Sequence, residues 1–341
     1  MGLFFYMSQN KDEKYLDLVI GGPDMSGTST QIKNTINLFN NKGFLVKDLR
    51  GTEIDVLFHS KKFQDELKRM GWDNNYMHFS NFLRDADSFI RSGVSTISPR
   101  DFFSYAHELL SGGGTNQDLK VASMIGNDVT TYINPNSADA WIMEEPSKRG
   151  AGQVNRVIEQ NRSKFGDKMN PFAAALTHQV YRSEEFLRFR KPIRENGKNV
   201  VRSRSEESAC YQIYNKKFLP EGIKMKDYLR LPGHDVAFSN PPTNIFVVCG
   251  PKDWKEKDYL DLKKQRSDGR GTDDYESNAG YQVLVNKRYA TDWLENLYKK
   301  ASKLYGGGLP EITRFSIYDS KEEIKEKMNN KLEQLINKNN Y

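Results

Sequence analysis

Gly22, Gly27 and Ser29 stand at the spacing of a turn that captures phosphate. The segment reads Leu18-Val-Ile-Gly-Gly22-Pro-Asp24-Met-Ser-Gly27-Thr28-Ser29-Thr30-Gln31. It follows the pattern G-x-x-x-x-G-K-[ST], except that Thr28 holds the lysine position. Glycines suit this chemistry because backbone N–H groups must turn inward on an anion, aided by the positive end of the following helix. Ser29 occupies the Mg²⁺-ligand position, and Thr28 and Thr30 extend the same phosphate-facing turn. The group that normally meets the β- and γ-phosphates is an ammonium, and here it is missing. Thr28 thereby separates phosphate binding from phosphoryl transfer.

Such a turn works only between a buried strand and a helix. Leu16 to Ile20 predicts the strand, and Ile32, Ile36 and Phe39 predict an apolar face on the helix behind it. The pair occupies about 14–41 and closes at Gly43. Further strands are expected at Phe44–Val46, Ala140–Met143, Asn199–Val201 and Asn244–Cys249. Helices are expected over Pro171–Glu195, stopped by Asn196-Gly197, around Asp258–Lys264, over Gly280–Ala301, and from Lys321 on. In that last helix Ile324, Met328, Leu332 and Leu335 share one face. Strands separated by helices imply an α/β chain whose parallel sheet is covered on both faces. Residues 52–138 break the alternation. Phe63, Leu67, Met70, Trp72, Phe79, Phe82, Phe89 and Ile90 recur there at helical spacings before the break Ser111-Gly-Gly-Gly114. That density of apolar side chains predicts a folded, mostly helical insertion rather than a linker.

The chain's 341 residues suffice for a large core. Its net charge of +6, from 51 basic and 45 acidic residues, is mild, and decides nothing between phosphorylated small molecules and nucleic acid. Lys61, Lys62, Lys68 and Arg69 are interleaved with Asp and Glu, so nucleic acid is not an expected partner. Cys210 and Cys249 are too few for a disulfide scaffold. Met1–Met7 is apolar but too short to span a membrane, and Tyr6 breaks the myristoylation pattern. A cytoplasmic protein without membrane attachment is expected.

The order of the remaining motifs resembles the thymidylate kinase family of nucleoside monophosphate kinases. That family's loop reads G-x-D-x-x-G-K-[ST]-T-Q, matched from Gly22 to Gln31 apart from Thr28. Its R-E-P turn is matched by Glu145-Pro146, with Glu144 in place of the arginine and Lys148 or Arg149 near enough to compensate. Arg182 precedes Lys191-Pro192 by the family's ten residues, and His178 falls where the family stacks an aromatic on the acceptor base. Tyr211-Gln212 matches the end of the family's D-R-Y…A-Y-Q segment. The family arginine there is Ser203 without a gap and Arg204 with a one-residue slip. A basic lid ending near D-R-x-E is similar to Lys263–Glu276, with Tyr281 and Tyr289 beyond it.

The resemblance covers about 14–50 and 139–300. It implies a P-loop NTPase three-layer fold with a parallel sheet of about five strands, over 1–51 and 139–341, interrupted at 52–138. The implied reaction is Mg²⁺- and ATP-dependent phosphorylation of a nucleoside monophosphate, dTMP first, by a homodimer. Arg182 would grip the acceptor phosphate, aided by Glu145, Arg204 and Gln212, with His178 at the base and Tyr211 against the sugar. Arg266 or Arg270 would reach the transferring group from the lid, and Asp24 would face the sugar or order the metal shell. The alternative is a catalytically weak nucleotide-binding or sensing protein whose insertion recruits a partner.

Each of these residues also has a purely structural reading. Asp24 can cap a helix, Arg182, Arg204 and the Lys263–Arg270 cluster can be solvated charge, and His178 and Tyr211 can be core. The histidines and cysteines form no metal-ligand spacing, and no nucleophile elbow is present.

Overall fold

The computed structural model describes residues 15–50, 133–147, 152, 171–266 and 277–338. The chain divides into two units, Met1–Arg50 with Pro135–Tyr341, and Gly51–Asn134. The insertion expected at 52–138 lies outside the described residues up to 132, as do Met1–Met7, Lys148, Arg149 and Arg270.

Six parallel strands form one sheet in the order β2-β3-β4-β1-β5-β6. They are Asp17–Gly21 (β1), Val46–Asp48 (β2), Ala140–Glu144 (β3), Asn199–Ser203 (β4), Asn244–Cys249 (β5) and Glu311–Ser316 (β6). The helices are Thr28–Asn41 (α1), Pro171–Glu185 (α2), Lys191–Glu195 (α3), Met225–Tyr228 (α4), His234–Ser239 (α5), Glu256–Arg266 (α6), Ala279–Ala290 (α7), Trp293–Tyr305 (α8) and Lys321–Lys338 (α9).

The period-two alternation of strand side chains divides β1 and β5 between two cores. Leu18, Ile20, Phe246 and Val248 pack with Ile32 and Phe39 of α1, Tyr259 and Leu262 of α6, and Ile324, Met328, Leu332 and Leu335 of α9. Val19, Ile245 and Val247 pack with Tyr281, Val285 and Tyr289 of α7 and Leu294, Leu297 and Tyr298 of α8. Helices therefore cover both faces, which is why the inner strands read as continuous apolar runs. A capping box starts α9, with Ser320 N–H donating to Glu323 and Glu323 N–H to Ser320 Oγ.

Four elements depart from the expectations. The second strand is Val46–Asp48, because Phe44 is taken up by an edge-on contact with Phe39 at 5.1 Å. The helix over 171–195 is interrupted by a π-helical turn at Phe186–Arg190. The helix over 280–301 is two helices, broken at Thr291 and Asp292. The sheet gains a sixth strand, β6, an edge strand in which only Phe315 is buried. Its pattern alternates with charge and carries no apolar run.

The site follows from this topology. From β1 the chain crosses to β2 at one edge, whereas from neighbouring β5 it moves to β6 at the other. Parallel sheets bind ligands beyond the carboxyl ends of strands that part in this way.

Candidate functional site

The loop Gly21–Gly27 leaves the carboxyl end of β1 and enters α1. A Cβ on Gly22 would strike the Val248 carbonyl oxygen and come within 2.6 Å of Ser26 Oγ. Gly27 has φ 82° and turns the chain into the helix, a conformation glycine adopts without strain. No side chain caps α1, and Ser29 and Thr30 are exposed in its first turn with Thr28 half-buried. The helix start thus offers uncapped N–H groups and hydroxyls to an anion. Met25 in this loop and Arg204 after β4 both have left-handed backbones, at φ 64° and 66°. Strain of this kind, about 1–3 kcal/mol per residue, concentrates at functional sites.

Asp24, the one carboxylate of the loop, is held on both sides. Its Oδ1 accepts from Arg204 Nη2 at 2.6 Å and lies 3.4 Å from the Tyr211 hydroxyl. Its Oδ2 accepts from Gln282 Nε2 at 2.6 Å, and its own N–H donates to Gln282 Oε1 at 3.2 Å. Arg204 also donates to the Gly22 carbonyl and lies 4.9 Å over the Tyr211 ring. The structure therefore brings Gly22, Asp24, Arg204 and Tyr211 together. Of the two residues offered for the arginine position, Arg204 touches the loop, and Ser203 ends β4, paired with Ile20.

Glu145 and Arg182 form a second knot at the end of β3. The buried Arg182 pairs with Glu145 through Nε and Nη2, and also donates to Tyr228 Oη at 3.3 Å and to the Ser205 carbonyl at 3.0 Å. Beside them lies a small cavity of about 30 Å³, whose walls include Met143, Tyr181, Phe186, Arg202 and Glu206. Behind it Asp17 receives Arg190 at 2.7 Å, Arg202 at 3.2 Å and Arg194 at 3.5 Å. Burial alone would raise the Asp17 carboxyl, but these three guanidiniums hold it below its ordinary value. Glu206 likewise is raised by burial, yet Arg202, Arg190 and Arg182 bring it down to about 2. Its neighbour Glu207 goes the other way. It lies under Gly21, both its oxygens lack a partner among the described residues, and burial together with Glu145 pushes it up to about 8.

The remaining expected residues make other contacts. His178 is buried, with Nδ1 at 3.0 Å from the Tyr181 hydroxyl. Gln212 is buried with Oε1 unpartnered among the described residues. Arg266 ends α6 and reaches the loop by donating to the Met25 carbonyl at 2.9 Å and to Ile317 O at 2.8 Å. Both acceptors are neutral, and burial lowers the Arg266 pKa. It joins no ion pair among the described residues.

Sequence reasoning expected a helix here but missed the polar contacts of α7. Besides Gln282, this helix sends Asn286 to Gly250 N–H at 2.7 Å and to the Pro251 carbonyl at 2.9 Å. Arg288 donates to the carbonyls of Cys210, Ile213 and Tyr214, and Tyr281 to that of Tyr211. The readable signal was Gln282 and Asn286 four residues apart in the helix, hence on one face.

Among the described residues no group of three or more His, Cys, Asp or Glu is placed to hold a metal. Magnesium needs less than that, since it retains waters and takes one or two protein oxygens beside phosphate. The exposed Ser29 hydroxyl at an uncapped helix start fits that requirement. Among the described residues no helix is long and apolar enough to cross a membrane. No protein-family model matches the chain, and comparison with curated proteins gives no match.

Proposed function

We propose that the chain binds Mg²⁺-ATP on the Gly22–Thr30 loop and transfers the terminal phosphoryl group to a nucleoside monophosphate, dTMP first among candidates. The observation that carries this reading is the uncapped, exposed start of α1 at the carboxyl end of the central strand, where β1 and β5 send the chain apart. The motif order that resembles the thymidylate kinase family supports it.

In the reaction, the bond between the γ-phosphorus and its bridging oxygen breaks. A bond to an acceptor phosphate oxygen forms, and ADP leaves with the electron pair. The protein's work is positioning and charge neutralisation. Mg²⁺ supplies neutralisation of the transferring phosphate when bound, with Ser29 as its protein ligand. Backbone N–H groups of residues 27–29 orient the phosphate chain. Arg266, already bonded to the loop at Met25, provides the cation that Thr28 lacks. Arg182 and Glu145 are the groups offered to the acceptor phosphate, and Arg204 and Tyr211 both donate to the Gly22 carbonyl of the loop. Asp24 acts through Arg204 rather than on the sugar, since both its oxygens are engaged. The family's pairing through helices extends the proposal to a homodimer.

The test couples ADP release to a detector, with each common nucleoside monophosphate as acceptor, beside calorimetry of Mg²⁺-ATP binding. ATP-dependent phosphorylation of dTMP is expected. No heat at millimolar nucleotide, together with no acceptor phosphorylated, sinks the reading. Arg266→Met is expected to lower kcat on the order of a hundredfold, as loss of a transition-state donor does. Adding Thr28→Lys to that variant should restore part of the loss.

The second reading is nucleotide binding with little turnover. One observation favours it: Arg182 and Arg204, the cations expected at the acceptor, are each held by a carboxylate, Glu145 and Asp24. ATP binding that persists without transfer to any acceptor selects it.

A further inference from the structure

α7 fastens each loop at the carboxyl end of the sheet around β1. Tyr281 and Arg288 hold the segment after β4, Asn286 holds the turn after β5, and Gln282 holds the loop after β1. Of these, Gln282 hydrogen-bonds the Asp24 carboxylate that in turn holds Arg204. It is fully buried, and it grips Asp24 at both ends, accepting from the backbone N–H and donating to Oδ2.

We infer that Gln282 is a positioning residue of the site: it fixes the Asp24 carboxylate, and through it holds the Arg204 guanidinium in place beside the Gly22 loop. This inference rests on the phosphoryl-transfer reading for its functional half, and on the loop geometry for its structural half.

The chemistry explains why an amide is needed. One side chain must both accept and donate, because Asp24 presents an N–H and a carboxylate oxygen to the same neighbour. Leucine does neither, and strands two polar groups away from water. Glutamate accepts from the N–H but faces Oδ2 with like charge until it takes up a proton. Asn286 cannot substitute, since both its amide atoms are committed to Gly250 and Pro251. With Gln282 in place, Asp24 stays turned toward Arg204, and Arg204 is drawn 2.6 Å from Oδ1. Without it, Asp24 can rotate and the strained Arg204 backbone, at φ 66°, loses the contact that faces it.

The experiment compares the wild-type chain with Gln282→Leu and Gln282→Glu from pH 5 to pH 8. Two readouts are taken: amide hydrogen exchange in the peptide covering residues 18–31, and phosphoryl transfer. Gln282→Leu is expected to speed exchange at the Asp24 amide at every pH, and to lower kcat on the order of a hundredfold. Gln282→Glu is expected to be as impaired at pH 8 and to recover toward wild type as the pH falls and the introduced carboxyl is protonated. That pH-dependent recovery is what a merely structural defect would not give. Should Gln282→Leu fail to fold, the recovery of Gln282→Glu decides alone. Exchange indistinguishable from wild type in both variants, or a Gln282→Glu defect that is flat with pH, overturns the inference. If the wild-type chain transfers no phosphoryl group, the phosphoryl-transfer reading falls, while exchange still decides whether Gln282 fixes Asp24.

Discussion

Glu207 and Glu206 are adjacent, equally buried, and pushed in opposite directions by their neighbours. Glu206 faces guanidiniums and drops to about 2, while Glu207, raised first by burial and then by Glu145, rises to about 8. The folded chain therefore keeps a proton on Glu207 that the unfolded chain releases near the ordinary value of 4.5. Its contribution to stability is full below about 4.5 and is lost as the pH rises toward 8. Glu207→Gln removes this loss. Its advantage over the wild type in thermal unfolding should be nil near pH 4.5 and grow by ~1.4 kcal/mol per pH unit at most, levelling above pH 8. A constant offset at all pH values would refute the assignment. None of this was legible in the segment Ser205-Glu-Glu-Ser. Which carboxylate meets arginine depends on residues such as Asp17 and Arg190, whose proximity only the fold creates. The same holds for Arg204 on Asp24, 180 residues apart in sequence. The glycines were readable because their role is local, fixed by φ and by close approach.

The π-helical turn at Phe186–Arg190 is the element that closes the buried ion network. It turns Arg190 onto Asp17 and Glu206 from a segment whose periodicity predicts an unbroken helix. π-Helical turns recur at functional sites, and this one lies directly behind the cavity beside Arg182. Asp17 meets three guanidiniums at the start of β1, and Asp17→Asn leaves Arg190 and Arg202 the carboxylate of Glu206 and Arg194 the neutral oxygens of Tyr15 and Asn240. Removing one partner of such a buried network costs about 3–5 kcal/mol. Chemical denaturation should show a loss of that order for Asp17→Asn, and a loss under 1 kcal/mol would mean that the network carries little. Strands β1, β4 and β5 were readable because burial on both faces leaves an apolar signature. The edge strand β6 was not, since half of it faces away from the core and carries Glu311 and Arg314. The inward polar face of α7 was equally hidden, because helical spacing tells which residues share a face but not which neighbour that face meets.

Across the molecule, stability against pH is set by opposing groups. His234 is buried, held down at about 3 first by burial and then by Arg182. The folded chain therefore lacks a proton that the unfolded chain binds between about 3 and 6.5, so stability rises with pH across that window. Glu206 and Asp17, both lowered, add to the rise on the acid side. Glu207 imposes a fall between about 4.5 and 8. The His234 and Glu207 slopes cancel between about 4.5 and 6.5. Thermal unfolding should accordingly show a plateau there, a steep loss below it, and a decline from about 6.5 to 8. Stability that still climbs from pH 6.5 to 8 would contradict this balance.

The parallel pairing of β1 also fixes when the loop can form during synthesis. Leu16 bonds to Asn199, 183 residues further along, and the other flank of β1 waits for Asn244–Cys249. At ribosomal rates of about 5–20 residues per second, the first-made strand stays without either neighbour for roughly 10–40 s. A nascent chain must therefore shelter Leu16–Ile20, its most apolar early stretch, long before the turn that follows can take its working shape.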